Sequence, residues 1–343
     1  MATRKEFRVA VLHQAAATPA IGGVLKPVKL GEVVCMLHLS VNSFDGCPGG
    51  YKDSSADLAH ALFLESREKR NSAIELIAPA TKPDPCVDTD WSFGDHKETI
   101  LEVIEKRGAN VLWANTTVHS NHALLEVAKK YPDILMVGQD PRQVDKYDDK
   151  GWVSHWLQSL PILEDSFPPS WIVKRDNPDI LNDIPLPVVI KPVRGRGSQC
   201  VALCHSQSEL KQQAQKLWET DDRVIIEEFC SGEEITVAVL PPGTYDEPVG
   251  VKFRHWALPV VRRFDHTGGI MPYAGNIPAA TNSYLVPSEE AATDREYEKI
   301  QRRCELAGQA LGALATIRVD ARRRGQTKLG LCFHVLLTRD SRS

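Results

Sequence analysis

Over the first 140 residues, short apolar runs alternate with stretches whose apolar positions recur every three or four residues. Phe7–His13, Ile74–Ile77, Val111–Ala114 and Ile134–Val137 read as strands, and Ser54–Arg67, Glu98–Lys106 and Asn121–Lys130 as helices. Strands alternating with helices of this length predict a parallel α/β lobe. Residues 31–50, GEVVCMLHLSVNSFDGCPGG, break that order. They are apolar without a helical period, and they fall where the first strand should feed a helix starting near Lys52. An extra hairpin and an insertion foreign to the fold both fit them.

Beyond residue 140 the pattern turns β-rich. Residues 141–180 hold a helix, a proline-rich turn and a strand, and read as the way into a second lobe. Pro187–Ile190 and Cys200–Cys204 read as strands, the two cysteines on one strand face, and a third strand ends in Glu227 and Glu228. Residues 248–264 are again strand-like, His266–Asn282 is a Gly/Pro/Asn-rich loop, Glu289–Leu314 reads as one long helix and Ala315–Ala321 as a strand. The expected division is 1–140 for an α/β domain and 141–343 for the second domain.

Length supports the division, because 343 residues exceed what one hydrophobic core usually serves. An apolar content of 42% and a charged content of 25% are those of a globular chain. A net charge of −4 and a pI near 6.3 give no basic field for nucleic acid and no polybasic stretch for a membrane. The opening, MATRKEFRVAVLHQ, holds only a strand-length apolar run, and no stretch approaches the roughly 20 apolar residues of a span. Eight cysteines without a CxxC pair predict buried, reduced thiols and a cytoplasmic location.

The chemistry concentrates between Pro187 and Leu240. A strand ends in Lys191; Gly195, Gly197 and Ser198 follow, then a short strand, a helix and a strand ending in Glu227 and Glu228, with Glu234 six residues on. An ammonium beside a glycine loop suits a polyphosphate, because the loop backbone can approach closely and aim N–H groups at it. The loop is neither a Walker loop, lacking GK[ST], nor a dinucleotide fingerprint, since a strand follows it. An exposed strand-to-strand hinge suits adenine, and an acid beyond it suits ribose hydroxyls. Each feature also has a plainer reading: Lys191 as a solvated strand end, the glutamates as a polar strand face, and Asp148, Asp149 and Lys150 as a charged helix start. Asp320, at a strand end after Arg318, is a candidate Mg²⁺ ligand or a surface residue. His255, Arg262, Arg263 and His266 could clamp a carboxylate or acyl phosphate, or could line a solvated edge.

Taken together, Lys150 in YDDK, Lys191 in VIKP, the GRGS loop, IIEEFCSGEEITVAVL and IRVDARR resemble the ATP-grasp superfamily, and within it the D-alanine–D-alanine ligase-like group. The resemblance covers residues 140–322 and implies an α/β N-terminal lobe plus α+β ATP-grasp lobes with ATP bound between two lobes. It implies a ligase that phosphorylates a carboxylate and lets an amine attack the acyl phosphate. Lys150 and Lys191 would hold phosphates and Gly195, Gly197 and Ser198 would close over them. Glu227, Glu228, Phe229 and Cys230 would form the adenine hinge, and Glu234 would bind ribose. Asp320 would hold Mg²⁺ (or Mn²⁺), and Arg263, or in its place Arg318 or Arg322, would face the acyl phosphate. The implied partners are small carboxylate and amine substrates, amino acids among them, with a homodimer allowed and no nucleic acid or membrane.

LHQAAATPAIGGVLKPVK, HWALPVVRRFDHTGGIMPY and the NS of TNSYLV also resemble a fungal branch of the superfamily, some of whose members sit in secondary-metabolite clusters. Two departures stand out. The strand Leu329–Leu337 offers Cys332 and His334 where the family places a carboxylate-x-Asn metal pair, and residues 31–50 split an otherwise continuous join. A retained intron and an altered last exon are the expectation for both. The missing pair leaves an alternative function, a nucleotide-binding protein without ligase activity.

Overall fold

The computed structural model describes residues 7–15, 52–68, 73–116, 118–194, 200–246, 248–266, 268–270 and 282–325, and the backbone of 328–336. Residues 31–50, Gly195, Gly197, Ser198 and most of the 266–282 loop lie outside the described residues. The chain forms two compact units that part between Asp145 and Lys146.

The first unit runs β1 (Phe7–His13), α1 (Lys52–Glu68), β2 (Ile74–Ile77), β3 (Phe93–Gly94), α2 (Lys97–Glu105), β4 (Val111–Asn115), α3 (Ala123–Lys130) and β5 (Leu135–Val137). Its strands pair in the order β2-β1-β4-β5, with β3 also beside β1, and every pairing is parallel. The predicted alternation is therefore present as a parallel sheet. Val11 packs with Ala56, Ala59 and Trp91 beneath it.

Polar side chains collect at the carboxyl ends of these strands. Asp95 accepts from Ala15 N–H at 2.7 Å, from His122 Nε2 at 3.1 Å and from the Thr116 hydroxyl. His13 Nδ1 lies 2.9 Å from Ser92 Oγ, and Asn115 donates to Ser55 Oγ at 2.9 Å. Burial pushes the His13 imidazole below its ordinary value, with Lys52 acting the same way. Each of these buried groups is met by another, as low-dielectric surroundings require.

The helix α4 (Pro141–Tyr147) leads into the second unit, which opens with α5 (Lys150–Gln158) and β6 (Ser170–Lys174). Next come β7 (Val188–Pro192), β8 (Ala202–Cys204), α6 (Gln207–Leu217) and β9 (Arg223–Glu228). These strands form an antiparallel sheet ordered β6-β9-β7-β8. Val188, Ile190, Val224 and Ile226 pack on Leu210, Ala214 and Leu217 of α6. Ser206 starts α6 with a reciprocal capping box to Glu209. Cys200 falls outside β8, in a turn at φ 57°, so it does not share a strand face with Cys204 as expected.

The remaining chain builds β10 (Glu234–Leu240), the β11–β12 hairpin (Gly243–Thr244, Val251–Lys252), β13 (Trp256–Ala257), β14 (Val261–Arg263) and β15 (Ser283–Leu285). Then follow α7 (Ser288–Thr293), α8 (Arg295–Leu311), β16 (Ile317–Arg324) and β17 (Lys328–Leu336). The main sheet is ordered β15-β14-β10-β16-β17, with β13 beside β10, and is antiparallel throughout. Ile235, Val237, Val239, Ile317, Val319 and Ala321 turn one face onto Tyr297, Ile300, Cys304, Ala307 and Leu311 of α8. The five described cysteines are all free thiols, three of them buried.

The expected single helix 289–314 is two. Asp294 has extended backbone (φ −110°, ψ 98°), ends α7 by donating to Glu290 O at 3.1 Å, and caps α8 by accepting from Glu296 N–H at 3.0 Å. An aspartate side chain competes for backbone N–H groups and so starts helices better than it continues them. The far end stops at Leu311 because Gly312 takes a left-handed φ of 60°.

Replacing Asp294 by Ala removes this cap. The expected loss is about 1 kcal/mol of unfolding free energy. Urea denaturation of Asp294→Ala beside Asp294→Asn checks it, since Asn keeps the cap and should stay near wild type.

Candidate nucleotide and acyl-transfer site

The pleat of two sheets places the candidate residues. In the β6–β9 sheet, residues facing α6 alternate with residues facing away, which puts Lys191 and Glu227 together on the face away from α6. Lys191 is completely buried and its Nζ donates to Glu227 Oε2 at 2.5 Å. Lys191 is therefore not a solvated strand end, and Glu227 is its counter-ion. The segment after β7 is tied to α5: Lys150 N–H donates to Val193 O at 3.0 Å, and Arg194 Nη2 lies 4.0 Å from Asp149 Oδ2. Asp149 caps α5 by accepting from Trp152 N–H at 2.9 Å and also binds Arg223 at 3.0 Å. Lys150 thus stands where the chain departs toward the glycine loop.

The hinge follows β9. Glu228 N–H donates to Pro169 O at 3.0 Å and Phe229 N–H to Pro187 O at 3.1 Å, while Cys230 is buried. Glu228 points to a more exposed place, with Arg324 Nε at 3.4 Å. At Gly232 the strands come so close that a Cβ would sit 2.5 Å from Gly325 O and 2.6 Å from Arg323 O. Only glycine allows that approach.

In the main sheet, Glu234 pairs in register with Arg263 on one side and Arg322 on the other, and Thr236 pairs with Asp320. Glu234 Oε2 lies 2.8 Å from His266 Nε2 and 3.1 Å from Arg322 Nε, and Oε1 lies 3.9 Å from Arg263 Nη1. Burial alone would raise the Glu234 pKa; the His266 hydrogen bond and the charges of Arg322 and Arg263 outweigh it and hold the carboxyl below its ordinary value. Arg263 Nη1 also lies 3.8 Å from Asp320 Oδ2, and Arg318 Nε 3.3 Å from Asp320 Oδ1. Arg322 further donates to Gly269 O at 2.8 Å and sits 5.3 Å above the Phe229 ring, joining this face to the hinge.

Asp320 is buried, and its Oδ1 accepts no hydrogen bond among the described residues. A buried carboxylate oxygen so placed fits a hard cation, which takes one or two carboxylates and completes its shell with phosphate oxygens and water. Among the described residues no group of three or more His, Cys, Asp or Glu side chains is arranged to hold a metal ion by itself. Across β16 and β17 the register partner of Asp320 is His334.

Two of the four residues grouped around 255–266 do not face this site. His255 lies 2.8 Å from Ala313 O, and Arg262 points to the opposite sheet face, where it binds Glu233 and Glu290. The one-residue step from Arg262 to Arg263 reverses the side-chain direction. Glu233, Arg323 and Tyr297 gave no signal in the sequence reading, because their partners come from segments 29 to 90 residues away.

Residues 172–329 match the family model for the D-ala D-ala ligase C-terminus. A D-alanine–D-alanine ligase of Syntrophotalea carbinolica is 27% identical over 153 residues, which is 44% of this chain and 45% of that protein. One from Halalkalibacterium halodurans is 30% identical over 134 residues, 39% of this chain and 40% of that protein. The chain thus aligns with less than half the length of these curated relatives. Among solved structures, VanG D-Ala:D-Ser ligase from Enterococcus faecalis superposes with a TM-score of 0.58 at 16% identity, covering 96% of this chain and 89% of that one. D-alanine–D-alanine ligase from Bacillus anthracis complexed with ATP gives 0.55 at 14% identity, covering 95% and 85%. The fold is that of ATP-grasp proteins, an α/β lobe with α+β lobes. Within that fold, the segment 172–329 is similar to the C-terminal part of the D-alanine–D-alanine ligases.

Removing the Lys191 ammonium leaves Glu227 buried and unpaired. Lys191→Met should cost about 3–5 kcal/mol, and Lys191→Met with Glu227→Leu should recover most of it. Chemical denaturation of the three proteins reads this directly. Glu234 supplies a pH signature. Its folded pKa lies below the ordinary 4.5, so its contribution is full above 4.5 and is lost as pH falls through the folded value. Thermal melts from pH 6 to about pH 3 should show a shallower acid limb for Glu234→Gln than for wild type.

Proposed function

We propose that this chain is an ATP-dependent carboxylate–amine ligase forming an amide or peptide bond through an acyl phosphate. The observation that carries this is the register ladder Arg263–Glu234–Arg322 with Asp320 beside it, joined to the hinge by Arg322 over Phe229. In this reading the hinge Glu228–Cys230 takes the adenine and Oε1 of Glu234 takes the ribose hydroxyls. Lys150, Lys191 and the loop holding Gly195, Gly197 and Ser198 take the phosphates, with Glu227 keeping Lys191 in place.

A substrate carboxylate oxygen attacks the γ-phosphorus, the bond to the β-phosphate oxygen breaks, and ADP leaves. An amine nitrogen then attacks the acyl carbon, the carbon–oxygen bond to phosphate breaks, and the amine gives up a proton. Arg263 and Arg318 flank the place where anionic charge gathers, so they work by fixed electrostatic complementarity and positioning. Asp320 is the residue that would hold Mg²⁺ or Mn²⁺, which supplies further charge neutralisation when bound. Small amino acids are the proposed acid and amine, supported by the names of the relatives. Secondary metabolism is the proposed setting, supported by the fungal-branch phrases, and the cytoplasm the proposed compartment, supported by the free thiols.

One observation favours a second reading, a nucleotide-binding protein without ligase activity: Asp320 pairs in register with His334, where the family carries a carboxylate-x-Asn pair on that strand. A phosphate-release assay over pairs of D- and L-amino acids with ATP and Mg²⁺, run beside ATP-binding calorimetry, separates the two. The ligase reading expects release that needs both an acid and an amine and falls about 100-fold or more in Lys150→Ala and Asp320→Asn. Binding with no turnover moves the conclusion to the second reading, and no binding overturns both.

A further inference from the structure

Behind the site face, the same three strands carry a second set of charged groups. Glu233 and Glu234, Arg262 and Arg263, and Arg322 and Arg323 are neighbours in sequence, and the pleat sends one member of each doublet to each face. On the rear face Glu233 receives the Arg262 guanidinium, the Tyr297 hydroxyl at 2.8 Å and Arg323 Nε at 3.2 Å. Arg262 reaches on to Glu290 and Tyr284 and contacts the Tyr297 hydroxyl at 2.5 Å, while Arg323 Nη2 bonds Asp294 at 2.8 Å. Arg323 backbone closes the set, donating to Glu233 O at 2.8 Å and accepting from Gly232 at 3.0 Å.

We infer that Glu233 and Tyr297 are positioning residues: by gripping Arg262 and Arg323 from behind, they set the strands that aim Arg263 and Arg322 at Glu234. The inference rests on the ligase reading for its consequence and on geometry alone for its mechanism. β14 is only three residues long, and Arg262 adds side-chain bonds to Glu233, Glu290 and Tyr297 to the few backbone bonds of its ladder. On β16 the register against β17 shifts between Asp320 and Arg322, and the next residue, Arg323, is tied to Glu233 and Asp294. Burial pushes the Tyr297 phenol up to about 12, with the Glu233 bond acting the same way, so it remains a donor at neutral pH. Burial works against the Arg262 charge, but its bonds to Glu290, Tyr284, Glu233 and Tyr297 hold its pKa above the usual value. Arg262 therefore keeps its charge and Tyr297 its proton at neutral pH.

The variant is Glu233→Gln, which preserves volume and one acceptor, with Tyr297→Phe as a second. The first readout needs no ligand: the side-chain ¹⁵Nε–H signals of Arg263 and Arg322 should shift or broaden in Glu233→Gln, while that of Arg223 stays put. Unchanged Arg263 and Arg322 signals in a folded Glu233→Gln protein overturn the inference, whether or not the chain binds ATP. The second readout is kinetic. If phosphate release is found, Glu233→Gln should lower kcat about tenfold with KM for ATP nearly constant. Combined with Arg263→Ala it should add almost nothing, whereas combined with Lys150→Ala its effect should multiply. Full multiplicative effects in both combinations also overturn it. A protein with altered arginine signals and no turnover would keep the inference and sink the ligase reading.

Discussion

The second unit depends on one antiparallel register, the one that sets Glu234 between Arg263 and Arg322. A buried carboxylate is costly unless cations and donors surround it. Here the register supplies two guanidinium groups and the loop supplies His266, and the carboxyl is held in its charged form. A slip by one residue would turn Glu234 into the core beneath the sheet and bring Ile235 to the site face. The hydrophobic stripe Ile235, Val237, Val239 and the polar stripe Glu234, Thr236 therefore enforce one another: the same alternation that buries the apolar side chains against α8 brings Glu234 to the arginines.

The other sheet solves a related problem with a different device. Lys191 has no exposed surface, and its ammonium is met by the Glu227 carboxylate two residues off its direct register partner. Neither strand could carry its charge without the other. The hinge between these two solutions is short, from Glu228 to Glu233, and is pinned at both ends: by Pro169 and Pro187 carbonyls on one side and by the Arg323 backbone on the other. Gly232 is what lets the second pin close.

Much of this was legible in the chain. The period-two strands, the alternation in the first unit and the order of Lys150, Lys191, Glu227, Glu234 and Asp320 are local patterns, and local patterns survive in a sequence. What stayed hidden is pairing. That Glu227 would neutralise Lys191 is a fact about the β7–β9 register, and that Arg262 and Arg263 would part company is a fact about which face β14 presents. The split of the long helix was hidden for another reason: Asp294 sits between two helical patterns that read through it, and its cap is a local choice of one side chain.

Pairing also explains why the doublets matter more than their members. A strand residue beside a functional one is bound to the opposite face, and at most positions that face is apolar core. At Glu233, Arg262 and Arg323 it is instead a half-buried ionic cluster reaching Glu290, Asp294 and Tyr297. Such a cluster is a weak source of net stability, because desolvation offsets most of the attraction. Its distinct property is geometric: directional, charge-assisted bonds tolerate less displacement than apolar contacts. A site that must hold three arginines within reach of two carboxylates gains from a rear face of that kind, since a core of leucines would let the short strand β14 drift while burying it just as well.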